Sequence, residues 1–180
     1  MPRIPRNYLK TQNFHVMVQG INKSYIFENS IDIKYYIKIL HELAEKYSVK
    51  ILAYCIMNNH AHILVTVKNT QQLSKYMHHI NTKYGIYYNK KYNRVGYVFR
   101  DRYRSEGIFS NSHLNKCIQY IYNNPVKAGI CKNPWDYPFS NYKFIDEESS
   151  EIYDFIDFED KVEYEVALNK YLLQSKSTLQ

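Results

Sequence analysis

KILAYCIMNNHAHILVTV, residues 50–67, contains two apolar runs separated by the polar pair Asn58 and Asn59. Each run has the length of a buried strand, and a two-residue link between such runs is typical of an antiparallel hairpin. We therefore predict strands at Lys50 to Met57 and at His60 to Val67, joined by a tight turn. This hairpin is the centre of the predicted fold.

Hydrophobic periodicity predicts the elements on either side of the hairpin. Apolar residues that alternate with polar ones indicate a strand, whereas apolar residues spaced three and four apart indicate a helix. Small polar residues that can cap a helix mark where each helix begins. In chain order we expect a strand at Phe14 to Gly20, a helix capped by Ser30 and ending near Tyr47, a helix capped by Thr70, a strand at Tyr97 to Ser105 and a helix at Ser112 to Asn124.

Together with the hairpin, these elements give the order β-α-β-β-α-β-α. We predict an α+β fold, a ferredoxin-like sandwich in which two helices cover one face of a mainly antiparallel sheet of about four or five strands. Because Pro125 disfavours helical geometry at the preceding residue, the third helix is expected to end at Asn124. From Asp146 the chain becomes acidic, so we expect one domain over residues 1–145 and a helical C-terminal extension over residues 146–180.

The composition is that of a folded domain with an excess of positive charge. The chain has 180 residues, 45% hydrophobic and 23% charged, which argues against a disordered tail or a coiled coil. Three cysteines without a CxxC pair argue against a disulfide framework or a structural zinc site. Without a recognisable signal peptide or bilayer-spanning run, we expect a cytoplasmic protein with no membrane partner. The net charge of +7 favours a polyanionic partner such as nucleic acid, although many cytoplasmic proteins are basic without binding one.

The second strand of the hairpin contains a pair of histidines. His60 and His62 are two residues apart, so both side chains should lie on one face of the sheet, where two imidazoles could bind one divalent metal ion. An HxH pair is a weak indication by itself, because two unrelated histidines on one strand are the commoner explanation.

The third predicted helix has a phenol and an amide on one side. Tyr120 and Asn124 are four residues apart and share one flank, while Tyr122 falls on the opposite flank. The amide oxygen of Asn124 could be a third metal ligand. The alternative is that Asn124 only caps the helix before Pro125 and that Tyr120 is a half-buried ring.

Basic residues alternate along the fourth predicted strand. Arg100, Arg102 and Arg104 would share one face, where they could contact phosphates or base edges of DNA. The alternative is an ordinary solvated strand face that nearby acidic residues partly neutralise. Lys127 and Lys83, both on predicted helices or beside them, are weaker candidates for DNA contacts of the same kind.

Three separated motifs give the chain a family resemblance. They are AYCIMNNHAHILV, GYVFRDRYRS and QYIYNNPVKAGI. In this order they resemble the REP-associated tyrosine transposases and their insertion-sequence relatives, which are single-strand DNA transposases of the HUH endonuclease class. The resemblance covers Phe14 to Tyr142 and includes the stretch WDYPFSNY. It departs at Asn58, where the family usually has proline in the turn that leads to His60.

The resemblance implies roles for four residues. His60 and His62 would bind Mg²⁺ or Mn²⁺, and Asn124 matches the third metal ligand. Tyr120 matches the catalytic nucleophile. The implied protein is a metal-dependent transposase that cleaves and rejoins single-stranded or hairpin DNA through a 5′-phosphotyrosine intermediate.

Two other functions are compatible with the sequence. The chain could be a domesticated, non-catalytic protein that binds hairpin DNA as a regulator, although such a protein has no need of the two histidines, the tyrosine and the asparagine together. It could also be an HUH nuclease for plasmid replication or mobilisation, which the single tyrosine and the short chain fit less well. The sequence leaves open whether the protein is a monomer or a homodimer.

Overall fold

The computed structural model describes residues 11–142. Its main elements are β1 at Asn13–Gln19, α1 at Ser30–Tyr47, β2 at Lys50–Met57, β3 at His60–Thr66, α2 at Thr70–Lys91, β4 at Arg104–Ile108 and α3 at Asn111–Lys127. The four strands form one antiparallel sheet in the order β2-β3-β1-β4, which confirms the α+β fold class. The predicted helical extension, residues 146–180, lies outside the described residues. Within residues 11–142, no helix has both the length and the apolar character that a membrane span requires.

The predicted hairpin forms as β2 and β3, and its turn is bonded to the loop that follows β1. The carbonyl of Asn58 accepts hydrogen bonds from the backbone N–H groups of Ile26 and Phe27, each at 3.0 Å. The carbonyl of Asn59 accepts one from Gly20, also at 3.0 Å. The turn that leads into β3 is therefore held by the surrounding backbone, with asparagine rather than proline at position 58.

The sheet is buried on both faces, which explains why β2 is apolar along almost its whole length. Alternate residues of β3, such as Ile63 and Val65, pack with α1 and α2 in one core. Leu64 points the other way and packs with residues of α3 in a second core. The predicted pair of helices on one face is confirmed, and α3 covers the opposite face.

The strand predicted at Tyr97 to Ser105 is wrong at its beginning. The strand β4 begins only at Arg104, and residues 96–103 form an irregular segment, called here the 96–103 segment. The N–H of Arg100 donates to the end of β1 at 2.8 Å, while a side chain of α2 binds the carbonyl of Arg102. Because the segment is drawn toward α2, its residues do not alternate, and the three arginines do not share one strand face.

The helices are capped by residues that precede the predicted caps. Asn29 caps α1 in place of Ser30, and Asn69 caps α2 in place of Thr70. Asparagine is at least as good an N-cap as serine or threonine, and both serine and threonine become the first helical residue here. Ser110 caps α3, which begins at Asn111 rather than at Ser112.

The third helix continues through Pro125 to Lys127, so its predicted end at Asn124 is wrong. Proline has no N–H and leaves the carbonyl of Ile121 without its usual helical donor. The side-chain Nδ2 of Asn124 lies 3.5 Å from that carbonyl and 2.8 Å from the carbonyl of Tyr120. This amide supplies a donor where the backbone lacks one, and the helix passes the proline.

Asp32 is a buried carboxylate near the start of α1 that ties this helix to the end of α2. Its oxygens accept hydrogen bonds from Nζ of Lys91 at 2.5 Å, the hydroxyl of Tyr92 at 2.6 Å and the hydroxyl of Tyr87 at 2.8 Å. Burial alone would raise the pKa of Asp32, but these donors outweigh burial and hold the pKa below its usual value. The ionised carboxylate is therefore the form that stabilises the fold.

We predict that Asp32→Asn lowers the free energy of unfolding at pH 7 by about 2–4 kcal/mol, because Lys91 loses its partner and the new amide faces other donors. Urea titration measures the change. The difference between the two proteins should shrink below pH 3.8, the usual pKa of this carboxyl, as the wild-type group also becomes protonated.

The matched control is Glu42→Gln, which removes an exposed carboxylate of α1 that pairs with Lys83 at 2.7 Å. It should leave the unfolding transition almost unchanged, since exposed ion pairs contribute little. Equal losses in the two variants would contradict the special role of Asp32.

Candidate active site

The two histidines of β3 lie on the sheet face that α3 covers. Alternation along the strand sends Ala61 and Ile63 to the core beneath α1 and α2, so the histidines share the other face. The ring centroids of His60 and His62 are 5.0 Å apart and the rings are nearly perpendicular. His62 is only 3% exposed, and His60 is half-buried.

His15 of β1 completes this surface, although nothing in its local sequence predicts a partner. Its Nε2 lies 3.0 Å from Nδ1 of His62, and the two rings stack with centroids 5.1 Å apart. Met17 is opposite His62 in the β1–β3 register, so His15 lies on the same face, diagonally across. The contact depends on the register between β1 and β3, which the local sequence does not determine. The alternation of polar and apolar residues in β1 could have indicated only the face on which His15 lies.

Tyr120 of α3 packs against both of these rings. Its ring centroid is 5.3 Å from that of His62 and 5.9 Å from that of His15, with edge-to-face geometry in both pairs. The side chain of Tyr120 is 42% exposed, so solvent reaches it from outside the helix. An accessible phenol therefore lies directly beside a buried pair of imidazoles.

Tyr122 is directed elsewhere. It is buried in the core between α3 and the sheet, and its hydroxyl donates to Oδ1 of Asn141 at 3.2 Å. The structure thus brings Tyr120, and not Tyr122, to the histidines.

Asn124 lies one helical turn beyond Tyr120 and is partly exposed. Its Nδ2 donates to the carbonyl of Tyr120, which fixes the orientation of the amide. The amide oxygen Oδ1 accepts no hydrogen bond from any of residues 11–142. This oxygen is therefore available as an electron-pair donor.

The imidazoles of this surface are neutral at neutral pH. Burial, together with the neighbouring His15 and His60, lowers the pKa of His62 to about 3. Burial also lowers the pKa of His60 and is the main influence that lowers the pKa of His15. A neutral imidazole has one nitrogen with a free lone pair, which is the form that binds metal ions.

This face carries donors that could bind a divalent cation. Nδ1 of His60 donates to Oδ1 of Asn59 at 2.6 Å, which leaves Nε2 of His60 with the lone pair. No three His, Cys, Asp or Glu side chains within residues 11–142 could hold a metal ion together. A metal at His60 and His62 would need a donor of another kind, which the amide oxygen of Asn124 is. The amide oxygen and water are ligands that Mg²⁺ and Mn²⁺ prefer, whereas imidazole is the more usual ligand of Zn²⁺ and other transition-metal ions.

The predicted DNA-binding arginines lie in two different places. Arg104 of β4 is opposite Met17, which is itself opposite His62, so Arg104 shares the face of the histidines. Arg100 and Arg102 are exposed in the 96–103 segment, at the edge of the sheet. Only Arg104 is therefore on the same surface as the imidazoles.

The two predicted DNA-binding lysines also differ. Nζ of Lys127 lies 5.0 Å from the ring centroid of Tyr120, so this cation belongs to the site. Lys83 is on α2 and pairs with Glu42 of α1 at 2.7 Å. Since α1 and α2 cover the opposite face of the sheet, the structure does not bring Lys83 to the histidines.

Comparison with known proteins gives the family. A family model described as transposase IS200 like matches residues 8–124, a range that includes every residue of the site from His15 to Asn124. The chain belongs to this family. As an IS200-like transposase, it combines the family's domain with a surface of histidines and a solvent-accessible tyrosine.

Two relatives illustrate the similarity of this IS200-like transposase to proteins already known. One from Haemophilus influenzae, named a REP-associated tyrosine transposase, is 25% identical over 145 residues, which are 72% of this chain and 77% of the relative. The solved structure of a REP-associated tyrosine transposase bound to a REP hairpin has a TM-score of 0.67 and 19% identity. It covers 83% of this chain and 87% of that one, so the two proteins share a fold.

We predict that His15→Leu destabilises the protein, because it leaves Nδ1 of the buried His62 without a hydrogen-bond partner. The expected loss in the free energy of unfolding is about 1–3 kcal/mol, measured by urea titration at pH 7 in the presence of EDTA. His15→Gln retains a hydrogen-bonding group and should lose less.

The control for this prediction is His41→Leu, which replaces an exposed histidine of α1 on the other side of the sheet. Its unfolding midpoint should stay close to that of the wild type. If the two leucine variants unfold at the same urea concentration, the contact between His15 and His62 does not hold the site together.

Proposed function

We propose that this IS200-like transposase cleaves and rejoins single-stranded DNA through a covalent bond between Tyr120 and a 5′-phosphate. The observation that carries the proposal is the position of the Tyr120 ring, 5.3 Å from the ring of buried His62 and 42% exposed. A nucleophile must be accessible to a polymer substrate and close to groups that neutralise the phosphate charge. Tyr120 is accessible, and the charge beside it comes from Lys127 and from the metal ion that His60, His62 and Asn124 would hold.

The proposed chemical step exchanges one phosphodiester for another. The phenol of Tyr120 gives up its proton to solvent, its oxygen attacks the scissile phosphorus, and the bond from phosphorus to the 3′-oxygen breaks. The leaving oxygen takes up a proton from solvent and becomes a 3′-hydroxyl. The phosphotyrosine keeps the free energy of the broken linkage. A later 3′-hydroxyl can therefore rejoin the strand by the reverse attack, which restores the phenol without ATP.

A cation of the site lies beside the ring of Tyr120. The ammonium of Lys127, at 5.0 Å from the ring centroid, provides positive charge beside it. The same ammonium can hold a phosphate oxygen of the DNA.

His60, His62 and Asn124 are the residues that would hold Mg²⁺ or Mn²⁺. When bound, the ion would act as a Lewis acid that polarises the scissile phosphate. The role of the chain is to present two neutral imidazoles and one amide oxygen in fixed positions. Burial keeps the imidazoles unprotonated, so they need not lose a proton before they bind a cation.

Single-stranded or hairpin DNA is the substrate that the charge distribution supports. The chain carries a net charge of +7, and Arg104 and Lys127 flank the histidine surface. The structural relative that shares the fold was solved bound to a REP hairpin. We extend this substrate class to the present chain by analogy of fold and charge.

The test of cleavage is incubation of labelled hairpin oligonucleotides carrying single-stranded flanks with the protein and Mg²⁺ or Mn²⁺, followed by denaturing gels. We expect a covalent protein–DNA band that requires the metal ion and is lost in Tyr120→Phe. Tyr122→Phe is the matched control and should retain the band, because Tyr122 is buried away from the histidines.

A band that persists in Tyr120→Phe would refute this assignment of the nucleophile. Binding of the hairpin without any covalent band, under every metal condition, would instead support a regulator that binds DNA but does not cut it.

We predict that Arg104 contributes to the salt dependence of DNA binding and that Lys83 does not. Arg104→Ala should weaken DNA binding and reduce the slope of log K against log salt by about 0.7, the value for one lost phosphate contact on a single strand. Lys83→Ala should leave the slope unchanged, because Glu42 already neutralises Lys83 on the opposite face of the sheet. Fluorescence anisotropy titrations over a range of salt concentrations measure both. Equal slopes for the wild type and Arg104→Ala would show that Arg104 does not contact a DNA phosphate.

A further inference from the structure

A groove of about 840 Å³ lies between α2 and the 96–103 segment, away from the histidine face. Two asparagines of α2 hold the segment at its ends. Nδ2 of Asn89 donates to the carbonyl of Gly96 at 2.8 Å, and Nδ2 of Asn81 donates to the carbonyl of Arg102 at 2.5 Å. The groove is thus a built feature of the fold, with both walls fixed by hydrogen bonds.

The walls of the groove are largely apolar and open to solvent. Ile86 of α2 is 66% exposed and Tyr97 of the segment is 86% exposed, while Phe99 is partly buried. Between them, Gly85 has no side chain, and a Cβ atom at this position would have no neighbour within 4 Å. Exposed aromatic and aliphatic groups gathered in one concave surface are typical of a binding site for a flat, apolar group.

The rim of the groove is positively charged. Lys75 of α2 and Arg100 and Arg102 of the segment line it. The acidic residue of the lining is Asp101, whose carboxylate lies 3.3 Å from Nε of Arg100. Apolar aromatic walls with a cationic rim are the combination that binds single-stranded nucleic acid, with bases on the rings and phosphates on the cations.

The groove lies close enough to the candidate active site for one DNA strand to reach both. The N–H of Arg100 donates to the carbonyl of Gln19 at 2.8 Å, and Gln19 is opposite His60 in the sheet. Because neighbouring strands are about 4.8 Å apart, Arg100 lies about 10 Å from His60 along the sheet. A single strand of DNA that passes from the histidine surface over the edge of the sheet would therefore reach the groove.

We propose that this groove binds an unpaired base of the DNA substrate, with the adjacent phosphates on Arg100 and Arg102. The inference rests on the proposed function only in taking single-stranded DNA as the ligand. It assigns to the 96–103 segment the task of holding the strand beside the cleavage site.

The experiment fills the groove without altering its charge. Gly85→Phe places a ring in the open space, and Gln71→Phe adds the same ring at an exposed position of α2 outside the groove. The probe is a hairpin oligonucleotide with a single-stranded flank, in which 2-aminopurine occupies one flank position at a time. Binding is followed in EDTA, with the full chain, by fluorescence; circular dichroism checks that both variants are folded.

We expect the wild type and Gln71→Phe to change the fluorescence strongly at one or two adjacent flank positions. Gly85→Phe should abolish that change and weaken binding about tenfold, the loss that corresponds to one stacked base. If the fluorescence depends on flank position but the cleavage assay gives no covalent band, the groove proposal is supported and the proposed cleavage chemistry is refuted.

Three results would overturn the groove proposal. The first is equal fluorescence changes at every flank position, and the second is equal affinity of Gly85→Phe and Gln71→Phe for the DNA. The third is tighter DNA binding by Gly85→Phe, which would mean that the groove holds a part of the chain that competes with DNA.

Discussion

The candidate site depends on the apolar contact between α3 and the sheet face that carries His62. Leu114, Ile118 and Ile121 of α3 pack in one core with Leu64 of β3. This contact sets the rotation of the helix about its axis, and with it the side on which a tyrosine meets the imidazoles. The same contact removes water from the histidine face, which keeps the imidazoles neutral. Positioning and desolvation therefore have a single physical origin in the packing of one helix.

Local patterns were sufficient to predict much of this arrangement. The hairpin, its two-residue turn and the common face of His60 and His62 all follow from residues adjacent in sequence. The contact of His15 with His62 depends on the register between β1 and β3, which no local pattern encodes. The irregular path of the 96–103 segment likewise depends on hydrogen bonds from two asparagine side chains of α2 to backbone carbonyls of the segment. The continuation of α3 through Pro125 depends on one side-chain amide that compensates for a missing backbone donor.

Charge is divided between two regions of the molecule. The imidazoles of the histidine surface are neutral, and its cations are Arg104 and Lys127. The arginines of the 96–103 segment and the neighbouring lysine of α2 are exposed at the sheet edge. Positive charge in both regions suits a polyanionic partner, because exposed cations attract it at long range. Arg104 lies on the strand that follows the segment.

The hydrogen bond from the side chain of Asn124 to the carbonyl of Tyr120 has a mechanical consequence. It joins the side chain of Asn124 to the backbone of the helical turn that carries Tyr120, so the amide oxygen keeps its position relative to that backbone. A displacement of α3 as a rigid body would therefore carry the amide oxygen and the backbone of Tyr120 together.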